Sequence, residues 1–279
     1  MGAARTFEKY EGLGNDFLVV EADDEHAVTP EQAAALCDRH VGVGGDGVLL
    51  LLPPREGADA RMRVLNADGS VSEMCGNGVR CLALHVARAR GMARGTVRVE
   101  TDAGVRACEV DDGAQAARVT VDMGRVTVLG DRTIDVEGRP VVVTLADTGN
   151  PHAVLFGAFT RGDVEHLGPR LSRHPAFPRG ANVEFANVGS GGIDLVVWER
   201  GVGITLACGT GACATVAVAC TKQLVQRGVA VSVHLPGGVL AITLGDDDRA
   251  TMTGPARHVF SGQLVAPLPA SPRSPGEEA

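Results

Sequence analysis

One short motif occurs twice in this chain of 279 residues, as Cys75-Gly76-Asn77-Gly78 and as Cys208-Gly209-Thr210-Gly211. Each copy opens a stretch rich in alanine and valine that reads as a helix. A helix start carries unpaired N–H groups and a partial positive charge. It therefore favours a thiolate and binds carboxylates. Two such starts facing one another would cage a single carboxylate with a sulfur on either side. The matching chemistry is removal of a proton from one face of a carbon and return of a proton to the other.

The elements that must position these cysteines are duplicated as well. Gly14-Asn15-Asp16 answers to Gly149-Asn150-Pro151, and Asn66 precedes Cys75 by nine residues as Glu199 precedes Cys208. The helices end at Arg90-Gly91 and Arg227-Gly228, with glycine available as the left-handed residue after the cap. A strand pattern, a glycine turn and a second strand follow each helix. Two copies of one α+β unit are expected, the first over residues 1–116 and the second over 117–262, with a junction near 113–117. A last strand near 263–266 is expected to return to the first domain. The tail 267–279 holds four prolines and reads as disordered.

Local signals fill in the units. Strands are expected at 7–10 and 17–20, flanking a turn over 12–16. Thr29 as N-cap, Pro30 at the first helical position and Gln32 at the third begin a helix that runs to His40 and stops at Gly42. The apolar run 48–52 predicts a buried strand, and 61–65 another, ending at the turn Asn66-Ala67-Asp68-Gly69. Strands follow at 118–123, 141–145, 153–156, 183–186 and 193–198, a short helix at 163–171, and the second cysteine helix from Thr210 to Arg227.

Composition narrows the partners. The chain is 44% hydrophobic but only 3% aromatic, so aliphatic side chains must fill two cores. A net charge of −8 with no basic run argues against nucleic acid. No apolar run reaches the roughly 18 residues of a membrane span, and residues 1–10 lack a signal-peptide core. Seven cysteines outside any disulfide framework fit a reducing compartment, and a cytoplasmic protein is expected. Cys37, Cys81, Cys108, Cys213 and Cys220 read as small buried hydrophobes, and the Cys208–Cys213 spacing misses that of zinc sites. Residues 42–47 match G-x-G-x-x-G, but a helix precedes the run and a strand follows it, the reverse of a dinucleotide site. No lysine sits in a pyridoxal phosphate context. Neither cofactor nor metal is expected. The expected partner is a small amino acid, and the sequence leaves open whether the chain is a homodimer.

These residues resemble the diaminopimelate epimerase family of cofactor-independent, two-cysteine amino-acid epimerases. The resemblance covers nearly the whole chain through Gly12-Leu13-Gly14-Asn15-Asp16-Phe17, Asn66-Ala67-Asp68-Gly69-Ser70, Glu73-Met74-Cys75-Gly76-Asn77-Gly78-Val79-Arg80-Cys81, Gly149-Asn150-Pro151-His152, Asn182-Val183, Glu199-Arg200-Gly201-Val202-Gly203 and Ala207-Cys208-Gly209-Thr210-Gly211-Ala212-Cys213. It implies two pseudo-symmetric domains, each a curled mixed β-sheet around a central helix, with the active site in the interdomain cleft. It implies conversion of LL-2,6-diaminopimelate to the meso form, a step of lysine and cell-wall synthesis. Cys75 and Cys208 would be the acid/base thiols, and the N–H groups at Gly76-Asn77 and Gly209-Thr210 would hold the reacting carboxylate. Asn15, Asn66, Asn150, Asn182 and Arg200 would line the substrate pocket, with Glu199 and His152 close to the thiols. Glu11, Gly47 and Ile204 depart from common residues of the family and bear on substrate choice. The alternative is a related two-cysteine racemase acting on another amino acid, such as histidine.

Overall fold

The chain divides into two units, Met1–Val119 with Pro255–Ala279, and Thr120–Gly254. The structure, a computed structural model, describes residues 5–55, 57–113 and 116–264. The tail expected over 267–279 and the end of the strand expected at 263–266 lie outside them.

In the first unit, β1 (Arg5–Gly12) and β2 (Asn15–Glu21) form an antiparallel hairpin that pairs Gly12 with Asn15. Leu13 and Gly14 turn the corner with φ of 58° and 76°. The helix α1 (Pro30–Cys37) starts with the anticipated capping box between Thr29 and Gln32. It ends before the expected His40, because Asp38 turns extended and its carboxylate accepts the N–H groups of His40 and Val41. The strand β3 (Gly47–Leu52) runs parallel to β2, and β4 (Ala60–Asn66) lies antiparallel to β3. After the short β5 (Val71–Ser72), helix α2 (Gly76–Ala89) leads to β6 (Arg94–Thr101), parallel to β4, and β7 (Gly104–Asp111) pairs back on β6. The unbroken apolar run of β3 follows from burial on both faces. Val48 and Leu50 pack with Leu36 of α1, while Leu49 sits against Gly78 of α2. Residues 76–87 of α2 are all buried, and the mixed sheet wraps the helix.

The second unit repeats this plan. It contains β8 (Arg118–Arg125), β9 (Thr127–Val136), β10 (Arg139–Asp147) and β11 (Pro151–Phe156), the last three paired antiparallel in succession. Helix α3 (Arg161–Ser172) leads to β12 (Asn182–Gly189), parallel to β11, with β13 (Gly192–Glu199) antiparallel beside it. The short β14 (Gly203–Ile204) precedes helix α4 (Gly209–Thr221). The strand β15 (Val231–Leu235) is parallel to β13 and is followed by β16 (Gly238–Leu244) and β17 (Arg249–Pro255), which pairs with β8. Here too the helix that follows a cysteine is sheathed by a mixed sheet. Two expectations change. α4 stops at Thr221 rather than Arg227, since Gln223 takes the left-handed conformation at φ 59° and its N–H and that of Leu224 return to the carbonyls of Cys220 and Ala219. The strand β9 was not anticipated, because most of its residues are exposed and polar on both faces.

The return to the first unit begins earlier than expected. β18 (Arg257–Leu264) pairs antiparallel with β1, so residues 255–262, expected in the second domain, belong to the first. Phe7 packs edge-on to Phe260, and its ring lies across Gly262 so closely that a Cβ there would overlap it. The junction falls between Val119 and Thr120, just past the expected stretch 113–117.

Candidate active site

In the first unit, sheet register gathers the candidates at the start of α2. Phe17 stands opposite Gly47, and Gly47 opposite Asn66, so the ends of β2 and β4 that carry Asn15 and Asn66 lie together. Cys75 is the N-cap of α2, one position before its first turn, and its Sγ accepts the Gly78 N–H at 3.4 Å. A polar chain fixes the neighbouring side chains. Arg80 Nη2 donates to Asn77 Oδ1 at 3.0 Å, Asn77 Nδ2 to Asn15 Oδ1 at 3.2 Å, and Asn15 Nδ2 to Asp46 Oδ2 at 2.7 Å. Arg39 pairs with both Asp16 and Asp46, and buried Lys9 pairs with Asp16 and the Gly44 carbonyl. Burial opposes ionisation of Asp16, but hydrogen bonds from Arg39 and Lys9 outweigh it and hold the carboxyl well below its usual range. The glycine-rich run 42–47 thus anchors Asn15 through Asp46. Asn66 Nδ2 donates to Ser70 Oγ at 2.9 Å within its own turn.

Arg80 is fully buried and tied to the carbonyls of Gly76 and Pro255. Burial works against its charge, which Cys81 and Cys75 support electrostatically. Cys75 is the one cysteine of the seven that is not buried.

The second unit builds the matching arrangement at the start of α4. His152 on β11 stands opposite Asn182 on β12, and Val183 opposite Trp198, so Asn182 and Glu199 share that end. Cys208 is the N-cap, with Sγ accepting the Gly211 N–H at 3.4 Å and the Thr210 hydroxyl 3.5 Å away. Its surroundings differ from those of Cys75. Burial, then the carboxylates of Glu199 and Glu184, push the Cys208 thiol well above its ordinary range, against the smaller help of Thr210 and Gly211. Burial also raises Glu199, whose Oε1 accepts the Thr205 hydroxyl at 2.6 Å and which shares a hydrogen bond with Cys208. The Arg200 backbone N–H donates to Asn182 Oδ1 at 2.9 Å, and its guanidinium donates to the Arg179 carbonyl at 2.8 Å while lying across Gly180. Among the described residues the Arg200 guanidinium has no carboxylate partner.

His152 is buried, with Nδ1 on Glu184 and Nε2 between Asn150 and Thr148. Glu184, fully buried beside Cys208, was missed in the sequence. Its signal was a glutamate inside the apolar strand Val183-Glu184-Phe185, where burial without a partner is costly. Of the departures, Glu11 pairs with Arg257 and accepts the Gly14 N–H, and Ile204 packs in the core beside Trp198. A Cβ at Gly47 would stand 2.9 Å from the Leu65 carbonyl, so a larger residue there requires a shifted backbone.

Each unit therefore offers a sulfur, helix N–H donors for an anion, and amides fixed around them. A buried cation supports the first sulfur, and two carboxylates surround the second. Among the described residues no cluster of His, Cys, Asp or Glu is set to hold a metal, and no helix is long and apolar enough to cross a membrane.

A model of the diaminopimelate epimerase family matches residues 7–129 and 144–259. The chain is 45% identical over 277 residues to diaminopimelate epimerase of Desulfitobacterium hafniense, covering 92% of this chain and 97% of that one. It is 43% identical over 280 residues to diaminopimelate epimerase 1 of a Nostoc species, covering 92% and 99%. In fold it is similar to a probable proline racemase from Agrobacterium radiobacter (TM-score 0.71, 19% identity, 94% and 93% covered). A hydroxyproline epimerase from Agrobacterium vitis is similar too (TM-score 0.70, 20% identity, 94% and 91% covered).

Proposed function

The chain belongs to the diaminopimelate epimerase family, and we propose that it converts LL-2,6-diaminopimelate to meso-diaminopimelate by a two-thiol mechanism. The observation that carries this reading is the pair of cysteine N-caps, Cys75 and Cys208, at equivalent points of two repeated units but in opposite electrostatic surroundings. The buried Arg80 charge favours a thiolate at Cys75, the base. Cys208, buried beside Glu199, keeps its proton and is the acid. In the reverse direction Glu199 accepts the Cys208 proton and the roles exchange.

The reaction requires both sulfurs to address opposite faces of one α-carbon. As that carbon loses its proton, charge develops on the α-carboxylate. Pre-aimed N–H groups at Gly76-Asn77 and Gly209-Thr210 stabilise it without reorganisation. Arg200 binds the distal carboxylate, because a guanidinium fork matches a carboxylate bidentately. Asn15, Asn66, Asn150 and Asn182 supply the remaining polar contacts. Arg200 and Asn182 favour this substrate over histidine, which lacks a distal carboxylate. The chemistry runs without pyridoxal phosphate, and seven cysteines outside any disulfide framework suit a reducing compartment, the cytoplasm.

The test is incubation with LL-diaminopimelate in deuterium oxide, followed by NMR. Deuterium should enter the α-position as the meso form appears, with no exchange into lysine or histidine. Exchange into histidine at a comparable rate would overturn the assignment of substrate.

A further inference from the structure

Glu184 and His152 are buried, carry ionisable groups, and stand outside the two-thiol chemistry itself. Glu184 is 0% exposed and His152 is 1% exposed. Glu184 Oε1 lies 2.7 Å from His152 Nδ1, and its Oε2 meets no hydrogen-bond partner. On the other side of the ring, Nε2 lies 2.9 Å from Asn150 Oδ1 and 3.0 Å from Thr148 Oγ1. The Thr148 hydroxyl donates to the same Asn150 oxygen at 2.8 Å. With that hydroxyl proton already directed at Asn150, both oxygens facing Nε2 act as acceptors, and Nε2 must be the donor. The 2.7 Å contact on Nδ1 then needs one more proton, shared between the ring and the Glu184 carboxyl. The pair so protonated is neutral overall. Neutrality suits two fully buried groups beside a second carboxylate, Glu199, far better than a lone negative charge would. Burial also raises the Glu184 carboxyl, in the same direction.

We infer that Glu184, acting through His152, is a positioning residue that fixes the amide of Asn150 with its oxygen turned inward and its Nδ2 donor left for a substrate carboxylate. The polarity of an amide is otherwise undetermined, since a half-turn exchanges donor for acceptor. Had the pair lost its extra proton, Nδ1–H would donate to an anionic Glu184. Nε2 would become an acceptor, and Asn150 would turn its nitrogen inward and its oxygen toward the substrate. An oxygen there repels a carboxylate. The inference rests on the proposed role of Asn150 in binding substrate.

The charged and titratable groups facing this pair are Glu199 and Cys208, with the Ala153 N–H also directed at Glu184. The test combines two readouts. In the ¹⁵N-labelled enzyme without substrate, Nε2 of His152, assigned by its loss in His152→Gln, should carry a proton and donate it, rather than standing as the bare acceptor nitrogen of the ring. In steady-state assays Glu184→Leu should raise KM for LL-diaminopimelate about tenfold, roughly 1.4 kcal/mol, and change kcat less than threefold. Glu184→Gln, whose amide can donate to Nδ1, should restore KM to within threefold. An unprotonated Nε2 overturns the inference, as does a Glu184→Leu variant that loses kcat at unchanged KM, because Glu184 would then act on Cys208. If Glu184→Leu does not fold, the spectrum of the parent and the kinetics of Glu184→Gln decide. A parent that exchanges no diaminopimelate proton refutes the epimerase reading, while the Nε2 signal still tests the pair.

Discussion

Gly211→Ala separates what helix chemistry alone would give from what this site imposes. Within a helix, replacing glycine by alanine ordinarily stabilises by about 0.5–1 kcal/mol, because alanine loses less backbone entropy. At Gly211 the added Cβ would stand 2.9 Å from Glu184 Oε1, 3.3 Å from Cys208 Sγ and 3.4 Å from Glu184 Cγ. Neither neighbour can yield cheaply. Glu184 is clamped by His152, and Cys208 is held as the N-cap. Overpacking of this kind costs about 1–3 kcal/mol, so the sign reverses and a net loss of about 1–2 kcal/mol is expected. Melting should fall by about 2–4 °C for each kcal/mol lost. The effect on rate should be larger, since displacing a reacting group by about 1 Å can cost on the order of 100-fold. Gly78→Ala is the control in the first unit. Its Cβ meets the Leu49 Cδ2 methyl at 3.0 Å and the Cys75 Cβ at 3.4 Å, with neither a carboxylate nor a sulfur against it. Thermal denaturation by circular dichroism and epimerisation of LL-diaminopimelate measure the two effects. A Gly211→Ala enzyme that melts at or above the parent and keeps kcat within threefold would refute this packing argument.

Cys75→Ala and Cys208→Ala should each lower epimerisation by at least 10²–10⁴-fold, roughly the contribution of a positioned acid or base, with circular dichroism unchanged; near-normal turnover by either removes the two-thiol mechanism. Arg200→Lys should lower kcat/KM strongly, because an ammonium cannot form the bidentate pair; the assay is discrimination of diaminopimelate from lysine, and parental discrimination contradicts the role. Glu199→Gln removes one of the carboxylates that, after burial, oppose ionisation of Cys208. Thiolate absorbance near 240 nm in a Cys75→Ser background should therefore rise at lower pH than in the same background with Glu199, and no movement would place Glu199 elsewhere. Arg39→Gln should lower Tm at pH 7, since Asp16 is ionised and held below its unfolded value near 4 by this pairing. A depressed carboxyl stabilises only above its unfolded pKa, so the deficit should shrink as pH falls below about 4, and a deficit that persists unchanged in acid argues against the ion pair as its source.

Much of the site was legible because its chemistry is local. A cysteine before Gly-Asn-Gly or Gly-Thr-Gly at a helix start is a contiguous signal, and both copies became N-caps with the same 3.4 Å bond to the glycine N–H three residues on. The capping box at Thr29 was equally local. Strands buried on one face, or on both as in β3, declared themselves by alternation or by an unbroken apolar run. β9 and β18 did not, since their outward residues are polar or exposed and their places are set by pairing with β10 and β1. The end of α4 was hidden for a related reason, because Gln223 adopts a conformation usually left to glycine while Gly228 serves the turn that follows.

The sequence by itself marked two cysteines at matching places of a repeat, and the asparagines and arginine proposed to serve the substrate. Only the tertiary structure decided how alike sulfurs come to differ. Arg80 and Cys75 share one helix, yet the guanidinium counts because α2 is buried in its sheet. Glu184 reaches Cys208 only because β12 is laid beside α4, and His152 reaches Glu184 only through the pairing of β11 with β12. Motifs fix which groups are present along a chain. Charge, burial and the direction of a proton depend on distances between segments far apart in sequence, and those exist only once the chain has folded.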